Sequence, residues 1–124
     1  MEKFVIYGQK NLKGEIEVRG SKNAAGPILA ATLLTKEPCV INNLPIIEDI
    51  NNLLEVFKSI GVKVEILSER KIRIQAEEID LSKMDFKKVS KTRVSVLLFG
   101  PLLARVKKFK IPHQVIISTA CEEN

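Results

Sequence analysis

The chain has 124 residues, a formal net charge of +5 and 45% hydrophobic residues, which predicts one small domain with enough apolar material for a core. Its lysines are spread along the sequence and only 5% of residues are aromatic, so a basic stripe with stacking side chains for nucleic acid is not indicated. No apolar run reaches the roughly 18 residues of a membrane span. We expect a soluble cytoplasmic protein with neither nucleic-acid nor membrane partners.

The first part of the chain is predicted to form two strands and then a helix. Residues 4–6 are a β-prone run, and residues 14–20 alternate polar and apolar between two glycines, so each segment predicts a strand with one buried face. Residues 23–34 are almost entirely Ala, Leu and Ile after the N-cap candidate Ser21, which predicts a helix buried on all sides. Pro27 is tolerated in a first turn and allows the regular helix to begin only there.

A strand and an amphipathic helix follow. Residues 38–41 predict the strand, and residues 42–45 form a turn cluster. Apolar residues then recur at helical spacing from Ile47 to Ile60, and the pattern stops at Gly61, where a C′ glycine belongs. This segment therefore predicts a helix with one face in the core.

The remaining elements are a hairpin, a connection, a third helix and a last strand. Residues 62–67 and 71–76 both alternate and predict the hairpin. Residues 77–88 are polar and predict a loop or an irregular connection. Residues 91–106 predict a strongly apolar helix, and residues 108–112 predict a strand. The fold class is therefore mixed α/β (α+β), with two helices too apolar to lie on a surface. Because a chain this short has little other structure to cover two such helices, they indicate part of a larger protein or a chain that needs a partner.

One candidate binding site lies where a predicted strand meets the first helix, at Gly20-Ser21-Lys22-Asn23. Backbone N–H groups, the helix dipole and the Lys22 ammonium converge there, which outlines an anion site. The alternative is that Ser21 only caps the helix and Lys22 is solvated. Neither a P-loop nor a GxGxxG motif is present.

Other polar residues are weaker candidates. Arg93 lies beside a continuous apolar stretch and suits a phosphate or carboxylate, although a snorkelling side chain or a structural ion pair is an equal alternative. Arg105 ends the same predicted helix, where the dipole favours a cation. Glu48 and Asp49 begin the second helix, where acids are expected for the same reason, and no catalysis is assigned to them. His113 has no evident triad partner in the sequence.

The two cysteines predict no metal site. Cys39 and Cys121 have no CxxC spacing and no neighbouring histidine, so we expect both to be reduced, with neither a metal nor a cofactor.

Several motifs together carry a family resemblance. They are Gly20-Ser21-Lys22-Asn23-Ala24-Ala25, Pro27 to Leu34, Asn42-Asn43-Leu44-Pro45 with Glu48-Asp49-Ile50, Ile60-Gly61-Val62-Lys63-Val64, Thr92-Arg93-Val94-Ser95, and Leu98 to Arg105. In this order they resemble the bacterial UDP-N-acetylglucosamine enolpyruvyl transferases (1-carboxyvinyltransferases) from Met1 to about His113.

The resemblance implies a reaction and a fold. The expected reaction is transfer of the enolpyruvyl group of phosphoenolpyruvate to the 3′-hydroxyl of UDP-N-acetylglucosamine, the first committed step of peptidoglycan synthesis, without a metal. The expected fold is part of an inside-out α/β barrel of repeated strand-helix units with buried helices. By the same resemblance, Lys22 contacts phosphoenolpyruvate, Asn23 helps to hold the substrates, and Arg93 belongs to the substrate site. The related shikimate-pathway transferases have Lys-Ser in place of Lys22-Asn23.

The resemblance also divides the chain. Residues 1–19 correspond to opening strands that pack with the family's other domain, residues 20–113 to a partial first domain, and residues 114–124 to a divergent tail. That tail lacks the family's Pro-Gly-Gly loop with its Cys or Asp, so no general-acid role passes to Cys121 and no catalytic residue is assigned. Without that loop and the second domain, we expect the chain alone to be inactive. The alternatives are a non-catalytic fragment that binds nucleotide sugar or a partner chain, and a shikimate-pathway relative.

Overall fold

The computed structural model describes residues 1–107, which form four α-helices, two 3₁₀ helices and one small sheet. The elements in chain order are α1 (Lys22–Thr32), β1 (Cys39–Ile41), α2 (Glu48–Ser59), β2 (Lys63–Ser68), β3 (Lys71–Gln75), a first 3₁₀ helix (Leu81–Lys83), α3 (Phe86–Ser90), a second 3₁₀ helix (Arg93–Leu98) and α4 (Phe99–Val106). The mixed α/β class is confirmed. The strand predicted at residues 108–112 lies outside the described residues.

The sheet has the order β1-β3-β2, with both pairings antiparallel. Ile72 lies opposite Ile41, and Ile74 lies opposite Cys39 on one side and Val64 on the other. Because side chains alternate along a strand, the two isoleucines of β3 share one face, and both are buried in the core. The hairpin predicted at residues 62–67 and 71–76 and the strand predicted at residues 38–41 are confirmed.

Helix α2 packs its apolar face against the sheet and ends as the sequence predicts. Gly61 has φ +92°, and its N–H donates to the Lys58 carbonyl at 3.2 Å. The Val62 N–H donates to the Phe57 carbonyl at 3.0 Å, which completes a Schellman motif. Phe57 itself is fully buried. The C′ glycine thus stops the helix and turns the chain into β2.

Helix α1 begins at Lys22, so Pro27 lies in its second turn and not at its start. Leu29 and Leu33 are fully buried, whereas the Ile28 and Leu34 side chains are 48% and 55% exposed. Only one side of α1 packs against α2 and the second 3₁₀ helix. The prediction of a helix buried on all sides is therefore wrong for the described residues, and an apolar helix face is exposed instead.

The helix predicted over residues 91–106 is two elements, because the second 3₁₀ helix gives way to α4 just before Pro101. Proline in a first turn lacks only an N–H that would have no helical partner, so it suits the start of a new helix. The loop predicted at residues 77–88 is also wrong in part. Asp80 caps the first 3₁₀ helix there, and the Asp85 carboxylate caps α3 by accepting from two backbone N–H groups.

Residues 1–20 belong to no helix or strand, so both predicted opening strands are wrong within the described chain. Their apolar side chains, such as Phe4 and Ile16, are almost fully exposed. An alternating pattern forms a strand only when another strand edge pairs with it, and neither segment pairs with the outer edge of β1 or β2 in the described residues. The Asn43 side-chain amide donates to the Val18 carbonyl at 3.1 Å and holds the end of this segment.

Within residues 1–107, no helix is long and apolar enough to cross a membrane.

We predict that the amides of residues 4–8 exchange with solvent at close to unprotected rates, since they lie in no helix or strand. The amides of α2, which lie in the core, exchange far more slowly. Hydrogen exchange of the 124-residue chain measures both, with α2 as the internal standard. Equal protection of the two segments would show that residues 4–8 are paired.

We also predict that Gly26→Ala destabilises the chain. An added Cβ would lie 2.7 Å from Cγ1 of Val94, a β-branched side chain that is stiff at χ1. Overpacking costs about 1–3 kcal/mol, and the gain in helix propensity offsets roughly 1 kcal/mol of it. We expect a net loss of about 1 kcal/mol, within a range of roughly 0–2 kcal/mol, in urea denaturation.

Gly100→Ala in α4 is the matched control, because among the described residues no atom outside the adjoining residues and backbone of its own helix lies within 4 Å of the added Cβ. We expect it to leave the free energy of unfolding unchanged or to raise it by up to about 1 kcal/mol. If Gly26→Ala is as stable as Gly100→Ala, α1 and the second 3₁₀ helix are not in tight contact.

Candidate functional site

A pocket of about 460 Å³ opens where α1, α2 and the second 3₁₀ helix all begin. Its lining residues are Lys22, Asn23, Gly26, Pro27, Asp49, Arg93, Val94, Val96 and Leu97. The three residues predicted for the substrate site, Lys22, Asn23 and Arg93, therefore lie around one cavity. They are distant in sequence, and tertiary packing brings them together.

The close approach of α1 to the second 3₁₀ helix places Arg93 in this pocket. Gly26 has no side chain, so the Val94 side chain packs directly against the α1 backbone at that point. Arg93 precedes Val94 and is the first residue of the 3₁₀ helix. A side chain at position 26 would separate the two helices, and with them Lys22 and Arg93.

Lys22 occupies the first position of α1, the end at which the helix dipole disfavours a cation. Asp49 compensates for this, since its carboxylate forms an ion pair with the Lys22 ammonium. Asp49 lies in the first turn of α2, where the dipole of that helix favours its negative charge. The Lys22 side chain is 52% exposed and that of Asp49 is 29% exposed, so both reach the pocket from its rim.

Asp49 is the pocket residue that the sequence analysis missed, since it attributed both first-turn acids of α2 to the helix dipole. Glu48 fits that explanation, because it is exposed and does not line the pocket. Asp49 differs from it only in facing α1. The sequence carries no signal for this difference, because the relative orientation of the two helices decides it.

Ser21 occupies the N-cap position of α1, as predicted, in extended backbone conformation. Its hydroxyl makes no capping hydrogen bond. Its carbonyl accepts from the Ala25 N–H at 2.9 Å. The Ser21 hydroxyl therefore leaves the first-turn N–H groups of α1 without a side-chain cap. The capping alternative is correct for the position of Ser21 but not for a hydrogen bond from its side chain.

The pocket combines two cations and one carboxylate with an apolar wall. The ammonium of Lys22 acts as a point charge, and the guanidinium of Arg93 offers a planar fork that suits phosphate or carboxylate. The Asn23 amide can both donate and accept hydrogen bonds. Among residues 1–107, no thiol or imidazole lines the pocket. Such a pocket can bind and orient an anionic ligand with an apolar portion.

Carboxylates with a lowered pKa lie away from this pocket. Hydrogen bonding and charge from Lys58, with a smaller contribution from Lys88, lower the pKa of Glu55. The hydrogen bond and charge of Lys63 lower the pKa of Glu77. The Lys58–Glu55 pair lies within α2, and the Lys88–Glu55 pair joins α2 to α3. The Glu77 pair holds the residues after β3 to β2. These shifts therefore reflect structural ion pairs.

Arg105 does not line the pocket and ties three segments together. Its guanidinium donates to the carbonyls of Leu33 at 2.7 Å and Thr35 at 3.1 Å, after α1. It also donates to those of Ala76 at 2.8 Å and Glu77 at 3.3 Å, after β3. Arg105 does stand in the last turn of α4, as the dipole argument requires, but its role is to hold these backbone segments.

Cys39 is a free, half-buried thiol whose Sγ lies 3.7 Å from the Glu37 carbonyl oxygen. His113 and Cys121 lie outside the described residues. Within residues 1–107, no three His, Cys, Asp or Glu side chains come together in a group that could hold a metal ion.

Comparison with known proteins gives a consistent set of relatives. The chain is 46% identical over 112 residues to UDP-N-acetylglucosamine 1-carboxyvinyltransferase 1 of Carboxydothermus hydrogenoformans. It is 42% identical over 112 residues to UDP-N-acetylglucosamine 1-carboxyvinyltransferase of Elusimicrobium minutum, and 38% identical over 111 residues to that of Actinobacillus succinogenes. Each match covers 90% of this chain and 26% of the relative. The chain thus spans about a quarter of the length of these curated relatives.

Residues 6–118 match the family described as EPSP synthase (3-phosphoshikimate 1-carboxyvinyltransferase). The match includes Lys22, Asn23, Asp49 and Arg93, the polar and charged residues of the pocket. The chain therefore belongs to the EPSP synthase family of carboxyvinyl (enolpyruvyl) transferases, within which it is a partial homologue of the UDP-N-acetylglucosamine enzymes.

Proposed function

We propose that this chain carries one part of the substrate site of a UDP-N-acetylglucosamine 1-carboxyvinyltransferase. Such an enzyme transfers the enolpyruvyl group of phosphoenolpyruvate to the 3′-hydroxyl of UDP-N-acetylglucosamine, in the first committed step of peptidoglycan synthesis. The observation that carries the proposal is the convergence of Lys22, Asn23 and Arg93 on one pocket.

The charges of the pocket suit these substrates. Phosphoenolpyruvate carries a phosphate and a carboxylate, and the nucleotide sugar carries a diphosphate, so both need cationic partners. In the proposed site Lys22 contacts phosphoenolpyruvate, Asn23 helps to hold the substrates, and Arg93 belongs to the substrate site of the first domain. The role of this chain is then to bind and orient, because none of its residues is assigned a catalytic step.

The exposed apolar surface supports the proposed architecture. Ala24, Ile28 and Ala31 form an apolar face of α1 that is exposed in the described residues. In an inside-out α/β barrel such a face turns inward against other helices of the same domain. We therefore propose that residues 20–113 are part of the first barrel domain, that residues 1–19 pack with the other domain, and that residues 114–124 are a divergent tail.

We propose the amino-sugar branch over the shikimate branch. The pair Lys22-Asn23 stands where the shikimate enzymes have Lys-Ser, and the relatives named above are all UDP-N-acetylglucosamine enzymes. We also propose that the 124-residue chain alone does not turn over substrate. The second candidate function is then a non-catalytic fragment that binds nucleotide sugar or a partner chain, and the exposed face of α1 favours a partner.

We predict that the 124-residue chain binds UDP-N-acetylglucosamine in a calorimetric titration, and that Lys22→Ala and Arg93→Ala each weaken this binding. A charge-assisted hydrogen bond contributes about 1.5–3 kcal/mol, which corresponds to roughly ten- to hundredfold in affinity. The matched control is Lys71→Ala, which removes an exposed cation from β3, outside the pocket. We expect it to change the affinity by less than about twofold.

Two outcomes would contradict the proposal. Unchanged affinity in both pocket variants would show that the nucleotide sugar does not bind at Lys22 and Arg93. Binding of shikimate 3-phosphate without binding of the nucleotide sugar would assign the chain to the shikimate branch.

A further inference from the structure

We propose that Asp49 is a specificity-determining residue of this pocket, which acts by competing with anionic ligands for the ammonium of Lys22. The proposal rests on the function proposed above, in which Lys22 contacts a phosphate or carboxylate. It adds a residue to which the sequence assigned no site role. An anion that reaches Lys22 must share the ammonium with the Asp49 carboxylate or displace it.

The first observation is the position of the ion pair. Lys22 is the first residue of α1 and Asp49 the second residue of α2, so the pair joins the starts of two helices at the pocket rim. Both residues line the same pocket as Arg93. By contrast, the lysine partners of Glu55 and Glu77 lie outside this pocket.

The second observation concerns the two helix dipoles. The dipole of α1 disfavours a cation at position 22, whereas the dipole of α2 favours an anion at position 49. The Asp49 carboxylate is therefore favoured where it stands, and it offers Lys22 a compensating negative charge. An incoming anion offers Lys22 the same compensation, which makes Asp49 and the ligand alternatives for one ammonium.

A consequence for ligand class follows from the chemistry of a carboxylate. An ionised carboxylate only accepts hydrogen bonds, so a bare anion brought beside Asp49 gains no contact with it and is repelled. A ligand whose anionic group is flanked by hydroxyl or amide N–H donors can donate to Asp49 while its anion contacts the cations. Asp49 thus selects such ligands against simple anions.

Inorganic phosphate at about pH 8 is the probe, because it is then mostly the dianion, whose concentrated negative charge outweighs its single remaining hydroxyl donor. We expect Asp49→Asn to bind phosphate about two- to fivefold more tightly than the parent 124-residue chain, the range for a partly exposed charge pair. The measurement is an NMR titration at constant ionic strength. A side chain that only stabilises the fold would not produce tighter binding on replacement.

Glu48→Gln is the matched control, since it removes the same charge from the same turn of α2 at a residue outside the pocket. We expect it to change phosphate affinity by less than about 1.5-fold, because the Glu48 carboxylate is exposed outside the pocket, where water and salt screen its charge. Urea midpoints of the two variants show whether either has lost its fold.

A double substitution distinguishes competition for the Lys22 ammonium from a general effect of the Asp49 charge on the pocket. In the Lys22→Ala background, Asp49→Asn should raise phosphate affinity by much less than it does with Lys22 present. Additive effects of the two substitutions would overturn the proposal. Weaker phosphate binding by Asp49→Asn, or no phosphate binding by any variant, would overturn it as well.

This experiment separates the failure of the two proposals. If the chain does not bind UDP-N-acetylglucosamine but Asp49→Asn tightens phosphate binding through Lys22, the substrate assignment fails and the role of Asp49 stands. If the nucleotide sugar binds through Lys22 and Arg93 but Asp49→Asn leaves phosphate affinity unchanged, the substrate assignment stands and the role of Asp49 fails.

Discussion

The packing of α1 against the second 3₁₀ helix at Gly26 is the contact on which the pocket depends. Val94 fills the space that a side chain at position 26 would take, so a side chain of the 3₁₀ helix rests directly on the backbone of α1. This approach brings the first turn of each helix to the same cavity, and with them Lys22 and Arg93. A packing constraint between apolar groups therefore sets the distance between charged ones.

The electrostatics of the pocket follow from this geometry. Two helix starts and an arginine produce a positive region, in which Lys22 stands against the dipole of its own helix. Asp49 balances that charge in part and reaches Lys22 because α2 begins beside α1. In the role proposed for Asp49, an anion would share the Lys22 ammonium with this carboxylate, which would favour ligands that offer hydrogen-bond donors as well as charge.

Much of the fold could be predicted from local pattern. Helix α2, its stop at Gly61, the strand β1 and the hairpin were all predicted, because each depends on periodicity or on a turn within its own segment. The opening strands were predicted wrongly, since residues 4–6 and 14–20 carry the pattern of strands but pair with none of the three described ones. The face of α1 that contains Ile28 was expected to be buried but is exposed. Whether such a face is buried depends on the elements that pack against it, which the sequence of the helix does not specify.

For the candidate site too, some features are local to the sequence and others depend on tertiary packing. The sequence by itself determined that Lys22 and Asn23 stand at a helix start and that Arg93 borders an apolar stretch, because these are properties of neighbouring residues. Only the tertiary structure decided that the three share one pocket and that Asp49, unlike Glu48, faces Lys22. The physical reason is that side-chain spacing along a helix is local, whereas the distance between two helices depends on how their surfaces pack.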